Sequence, residues 1–373
     1  MKNSIPNLAS RVVNTVCVLS TLAFLSGCIG LPRLPFKQTA SVGPSDLAPN
    51  QEVPALERTV GSPVEEFELH INDMLAAKDF AGIEAEANSA RSRKERFSGG
   101  YWKINRLYGA TTNFYAEYKG QKVTDELWSN RIELLKLWKS EMPQSLTARV
   151  ALGGAYMDYA WFARGTGFGN TVPARSAALM EERLKIAEAE LIEARKLGTC
   201  PVLLNNLLTL AKINGASKEE FDALFEEAVK SEPNYIGHYL EKADALKEKW
   251  HGTNTSWQDF VDSIPGKVAT LKSDEANIIY FAVVASKLSD HTFANNWAMI
   301  SKDRITKGFE EMEKKFGPNK YRLNQFAFIC MVSGNIGDGA KAIERIGAGR
   351  DDEVWSEQTF QLFKQIAKRG SFK

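Results

Sequence analysis

From Ser62 onward, apolar positions recur at spacings of three and four residues, the signature of amphipathic helices. Ser62, Pro63 and Glu65 supply an N-cap, a first-turn proline and a capping acid, and Phe67, Ile71, Met74 and Leu75 follow on one face. A second helix begins near Phe80 and carries Ile83 among alanines. The pattern then predicts a helix from about Trp102 through Tyr108 to Tyr118. Another is capped by Thr124, carries Leu127, Trp128, Ile132, Leu135 and Trp138, and ends at Pro143. Helices from Ser145 to Ala163, Ala174 to Leu197, Val202 to Ile213, Ser217 to Lys230 and Tyr235 to Lys247 follow. Weaker ones are expected around Trp257, from Glu275 to Leu288 and from Asp303 to Phe316. The last three lie near Tyr321 to Val332, Asp338 to Ile346 and Val354 to Ala367. No stretch alternates with a period of two, so the predicted fold class is all-α.

Short connections between these helices imply antiparallel hairpins, and several share a spacing. Leu208 on one helix, with Phe225, Ala228 and Pro233 on and after the next, resembles the tetratricopeptide pattern of about 34 residues. Phe221 departs from it, and Gly215 is one place off. Leu152, Gly153 and Tyr156 look like a second first-helix signature, and Ala187, Leu191 and Ala194 like its second helix, with a long insertion between them. Gly337, Asp338 and Ala342 are a third, partial copy. The resemblance implies a stack of helical hairpins, each burying the apolar face of its neighbour. A globular helical bundle is the alternative.

The residues before Ser62 follow a different rule. Lys2 and Arg11 flank an apolar run from Val12 to Phe24, closed by Leu25, Ser26, Gly27 and Cys28. The run is too short for a membrane span, which needs about 20 apolar residues, and has the shape of a secretory signal. Its end resembles a bacterial lipoprotein box, which implies lipidation of Cys28 and cleavage before it; an ordinary signal with a chance cysteine is the alternative. Ile29 in place of aspartate resembles an outer-membrane sorting signal. Pro32, Pro35, Pro44, Pro49, Pro54 and Pro63 then punctuate a tether, since proline fixes φ and disfavours helix before it. The expected organisation is a signal over 1–27, a disordered tether over 28–62, a helical-repeat domain over 63–265, and further hairpins continuing the stack over 266–373.

Composition narrows the function classes. The chain is 44% apolar and 25% charged, as in ordinary globular proteins. With 47 basic against 46 acidic side chains, it carries no basic excess for nucleic acid. Cys200 and Cys330 remain for the folded part, either as one disulfide or as two buried thiols. His70, His238, His251 and His291 are scattered without ligand spacing, and no cofactor motif is present, so neither metal nor cofactor is expected.

Three inter-helix turns combine aromatic, basic and glycine residues. They are Arg96-Phe97-Ser98-Gly99-Gly100-Tyr101-Trp102-Lys103, then Tyr159-Ala160-Trp161 with Arg164-Gly165-Thr166-Gly167-Phe168-Gly169, and Lys249-Trp250-His251-Gly252. Loops on rigid scaffolds often carry function, so Arg96, Trp102, Tyr159, Trp161, Arg164, Lys249 and Trp250 are candidate binding residues. The expectation is that the three turns converge on one face. The alternative for the second turn is a helix C-cap, with Arg164 on a carbonyl or carboxylate. Together the turns resemble an uncharacterised bacterial family built around domain of unknown function 4034, over roughly Phe80 to Val261. That resemblance implies shared architecture and lends no activity; His251 stands where a small residue is expected.

No nucleophile elbow, zinc-protease motif or phosphate loop is present. The expected function is therefore a membrane-anchored, non-catalytic binding or scaffolding lipoprotein of the cell envelope. It would be held through lipidated Cys28, facing the periplasm, and would grip a peptide or protein partner in a helical groove. The alternative is a helical glycan- or peptidoglycan-active enzyme using two carboxylates about 5 to 9.5 Å apart.

Overall fold

The computed structural model describes residues 61–112, 114, 122–167, 171–253, 255–268, 270–288 and 297–370, the side chains of 265–267 and 298 apart. The signal, Cys28 and almost all of the proline-rich tether lie outside the described residues, as do Tyr118, Phe168 and Gly169. The described chain is all-helical. Its helices are α1 (Pro63–Ala76), α2 (Phe80–Arg93), α3 (Lys103–Thr112), α4 (Asp125–Glu141), α5 (Leu146–Arg164), α6 (Ala174–Leu197), α7 (Pro201–Ile213) and α8 (Lys218–Ser231). They continue with α9 (Ile236–Ala245), α10 (Ser256–Lys267), α11 (Ser273–Ser286), α12 (Lys302–Phe316), α13 (Lys320–Val332), α14 (Ile336–Ile346) and α15 (Glu357–Arg369). No strand occurs among the described residues, only an isolated antiparallel bridge between Arg96 and Trp102. None of the described helices is long and apolar enough to cross a membrane.

Local chemistry sets the helix starts. Ser62 accepts from the Glu65 amide, Thr124 from Leu127 and Ser145 from Ala148, each satisfying an amide that the first turn leaves orphaned. Ser217 and Glu220 form a reciprocal capping box at α8. The predicted helices appear within a few residues of their expected bounds, except that the third is described from Lys103 to Thr112 and its expected end at Tyr118 lies outside the described residues.

Neighbouring helices pair as hairpins, and the odd-numbered helices also pack on one another: α1 on α3, α3 on α5, α5 on α7, α7 on α9, α9 on α11 and α11 on α13. The odd helices thus form one continuous layer and run in the same direction. Asn205 and Lys212 of α7, seven residues apart, meet Gly237 and Asp244 of α9, also seven apart. Gly153 lets the α5–α6 hairpin close tightly, because a Cβ there would stand 2.7 Å from the Leu191 side chain. Gly308 does the same for α11 and α12: its Cβ would fall 2.1 Å from the Asn277 carbonyl oxygen.

Two large apolar cores result. One collects residues from Ile71 to Tyr235, including Trp138 stacked on Phe80 at 5.7 Å. The other collects residues from Val229 to Ile366. The expected division at residue 265 falls inside α10, and the second core runs across it. Cys200 belongs to the first core and Cys330 to the second, and both are free, buried thiols.

The stack also closes on itself. Asn319 donates to the Ser98 carbonyl at 3.4 Å across 221 residues of sequence, and Arg322 Nε donates to the Gly99 carbonyl at 3.3 Å. Gly99 adopts φ +76°, and a Cβ on it would stand 2.8 Å from the Asn319 side chain. Only glycine meets both demands cheaply.

Candidate functional site

The turn before α3 is the other half of this closure. Phe97 donates to the Tyr101 carbonyl at 2.8 Å, which folds the turn tightly over its two glycines. The Arg96 guanidinium lies 4.0 Å from the Trp102 ring and 4.8 Å from Phe316, and donates to the Asn234 carbonyl at 3.3 Å. Burial lowers its pKa to about 10, against the opposing pull of Glu232 and Glu275, so it stays charged at neutral pH. Trp102 is buried against Tyr235, with ring centroids 5.4 Å apart. A cavity of only about 10 Å³ remains beside Arg96. Arg96 and Trp102 therefore form an internal clasp between the α8–α9 and α12–α13 turns.

Around the second turn the side chains are equally engaged. Tyr159 stacks on Trp128 at 5.3 Å and donates to Asp125 at 3.0 Å. The Arg183 guanidinium covers its ring at 3.2 Å and donates to its carbonyl. Arg164 donates to the Gly165 and Gly167 carbonyls, both at 3.1 Å, and lies 5.5 Å from the Trp161 ring. That is the geometry of a helix C-cap, the alternative weighed for this turn. In the third turn, Lys249 lies 5.3 Å from the Trp250 ring, and the turn closes through His251 donating to the Ala245 carbonyl at 3.0 Å.

The three turns do not form one pocket. Trp102 leads into α3, whereas Arg164 ends α5 and Trp250 follows α9. Because the odd helices are parallel, the first turn lies at one end of their layer. The other two lie at the opposite end, with α7 between α5 and α9.

The open concavity is elsewhere, on the face of the odd layer itself. A cleft of about 90 Å³ is bounded by α3, α5 and α7. On α3, Asn105, Gly109 and Thr112 lie four and three residues apart and so share one face. Ala151, Gly154 and Asp158 do the same on α5, and Asn205 with Thr209 on α7. Met157, Val150 and Val202 add apolar walls. Two glycines in helix interiors give the cleft its depth. A Cβ on Gly109 would meet nothing within 4 Å, and one on Gly154 would meet only ordinary contacts, Asn206 at 3.5 Å and Thr112 at 3.7 Å.

The polar rim is anchored from below. Tyr235 donates to Asn105 Oδ1 at 2.9 Å. Beyond Thr209 the seam between α7 and α9 holds a buried ion cluster. Lys212 Nζ lies 2.8 Å from Glu241 and 2.7 Å from Asp244; Lys212 and Glu241 are buried and Asp244 is partly exposed. Burial alone would lower the Lys212 ammonium, but the two carboxylates outweigh it and hold it above the usual lysine range. Burial likewise raises Glu241 despite Lys212.

None of the cleft residues was singled out from the sequence. The available signal was the pair of glycines inside otherwise helical runs, Gly109 with Asn105 and Thr112 at helical spacing and Gly154 four residues before Asp158. Comparison with family models, with curated proteins and with solved structures finds no match to this chain.

Proposed function

We propose that this protein is a lipid-anchored, non-catalytic binding lipoprotein of the cell envelope that docks a peptide or protein partner in the α3/α5/α7 cleft. The observation that carries the reading is the unfilled space over Gly109. A glycine inside a helix costs about 1 kcal/mol relative to alanine. At Gly153 and Gly308 the close approach of another helix accounts for that cost. Among the described residues no atom does so at Gly109, where the open space faces the cleft. A ligand does.

The cleft is lined by a single carboxylate, Asp158, whereas glycan hydrolysis by the two-carboxylate route needs a pair. This favours binding over the enzymatic alternative. The envelope assignment rests on the lipoprotein-like end of the signal at Cys28 and on the tether that follows it. The likeness to the domain of unknown function 4034 family fits the same architecture.

Two experiments test the reading in intact cells. A photo-crosslinking residue at Asn206, in the cleft, should capture a partner. The same residue at Ile192, 48% exposed on α6 away from the cleft, should not. Equal capture at both sites, or none at Asn206, would remove the docking claim. Separately, Cys28→Ser should move the protein from the membrane to the soluble fraction, and continued membrane retention would overturn the anchor.

A further inference from the structure

Building on the docking reading, we infer that the group seated in the α3/α5/α7 cleft is a primary carboxamide, the end of an asparagine or glutamine side chain of the partner. Three helices meet over Gly154 of α5. A Cβ placed there would stand 3.5 Å from Asn206 Nδ2 of α7 and 3.7 Å from Thr112 Cγ2 of α3. Both are ordinary contact distances, so a single layer of atoms over Gly154 touches both neighbouring helices. A planar group entering edge-on fits such a slot. Size agrees, since about 90 Å³ is the share of roughly three liquid waters and a carboxamide has three heavy atoms. Val150, Ala151 and Val202 give the methylenes behind it an apolar wall.

The lining presents donors and acceptors together. Tyr235 donates to Asn105 Oδ1 at 2.9 Å, so Asn105 keeps its N–H groups to offer. Asn206 brings a second amide, with its nitrogen beside Gly154. Thr112 donates its hydroxyl proton to the Gly109 carbonyl at 3.3 Å, and Thr209 donates to the Asn205 carbonyl at 3.1 Å. Each hydroxyl has one proton, so both have lone pairs left to accept with.

Charge excludes the other planar and compact groups. No lysine or arginine lines the space, and Asp158, its one acid, is engaged in an interaction of its own. A carboxylate would find a like charge and no cation. An ammonium or guanidinium carries donors alone and would leave the asparagine N–H groups without an acceptor. A carboxamide is neutral and brings an acceptor and two donors, so it answers both sets.

The test uses the intact chain titrated with n-butyramide and followed through the side-chain amide resonances of Asn105 and Asn206. Sodium butyrate, n-butylammonium chloride and N,N-dimethylbutyramide, which keeps the acceptor and loses both donors, are the comparisons. Butyramide should bind at least about tenfold more tightly than any of them. Added salt should leave its affinity unchanged. Gly154→Ala puts a methyl into the slot at contacts the fold tolerates, so it should abolish binding without lowering the melting temperature. Asn206→Leu should weaken binding by about tenfold, again with the melting temperature kept. No butyramide binding, equal or tighter binding of a comparison, or unchanged binding in Gly154→Ala would overturn the inference.

Failure of this inference and of the docking reading are separable. If crosslinking from Asn206 captures a partner but butyramide binds no better than its comparisons, the carboxamide assignment falls and the docking site stands. If butyramide binds as expected but Asn206 captures nothing, the cleft is a carboxamide site and the docking reading falls.

Discussion

His238 sits in α9 with no exposed surface, its ring centroid 4.7 Å from that of Tyr235, and neither ring nitrogen has a hydrogen-bond partner. Burial pushes its pKa down to about 3. In the unfolded chain it titrates near 6.5. Between those values the unfolded chain binds a proton that the folded one refuses, so this residue's contribution to stability falls as the pH drops. The slope is about 1.4 kcal/mol per pH unit across that window. His238→Phe should remove this part of the acid sensitivity, measured as urea midpoints at several pH values from neutral to 3.5. An unchanged difference between neutral and acid midpoints would mean that His238 is not held neutral. Nothing in the sequence distinguishes it from the three other histidines. Its inaccessibility arises from packing α9 among α7, α8, α10 and α11.

At the scale of helices, two glycines make opposite predictions. Gly308→Ala forces a methyl against the Asn277 carbonyl and should cost roughly 1–3 kcal/mol by parting α11 from α12. Gly109→Ala enters open space and should add up to about 1 kcal/mol through helix propensity. Thermal or chemical denaturation of the two variants decides both signs. The helices themselves were legible because their causes are local: caps at Ser62, Thr124 and Ser217, and apolar spacing between them. The α6 bounds, Ala174–Leu197, coincide with the expected ones. The role of the turns was not legible. Tryptophan, a base and glycine in sequence describe a ligand site and a stacked helix end equally well. Only the partners decide, namely Phe316 and Asn234 for Arg96, and the Gly165 and Gly167 carbonyls for Arg164. The cleft was hidden for a related reason. Asn105, Thr112, Asn206 and Thr209 are ordinary helix residues until three helices turn them toward a common space.

Across the whole molecule, the contact between the Ser98–Gly100 turn and the α12–α13 region departs from the behaviour of a simple helical stack. In such a stack each unit touches only its neighbours. Here Asn319 and Arg322 tie the first hairpins to the last third of the chain. Replacing both with alanine should leave the helix content unchanged. It should enlarge the radius of gyration in small-angle scattering and speed amide exchange at Gly100, whose N–H bonds Phe97 within the turn. Identical scattering curves would mean that the two cores hold the closed form without the clasp.

A polypeptide is made and delivered amino end first, and hairpins of a stack can zip up as they emerge. The turn before α3 cannot finish in that order, because Ser98 waits 221 residues for its donor. Such distant pairing is slow to find. Closure of this turn should therefore come late in the maturation of this chain, and a ribosomal product cut short before Asn319 should keep an unfinished first turn however well its own helices had formed.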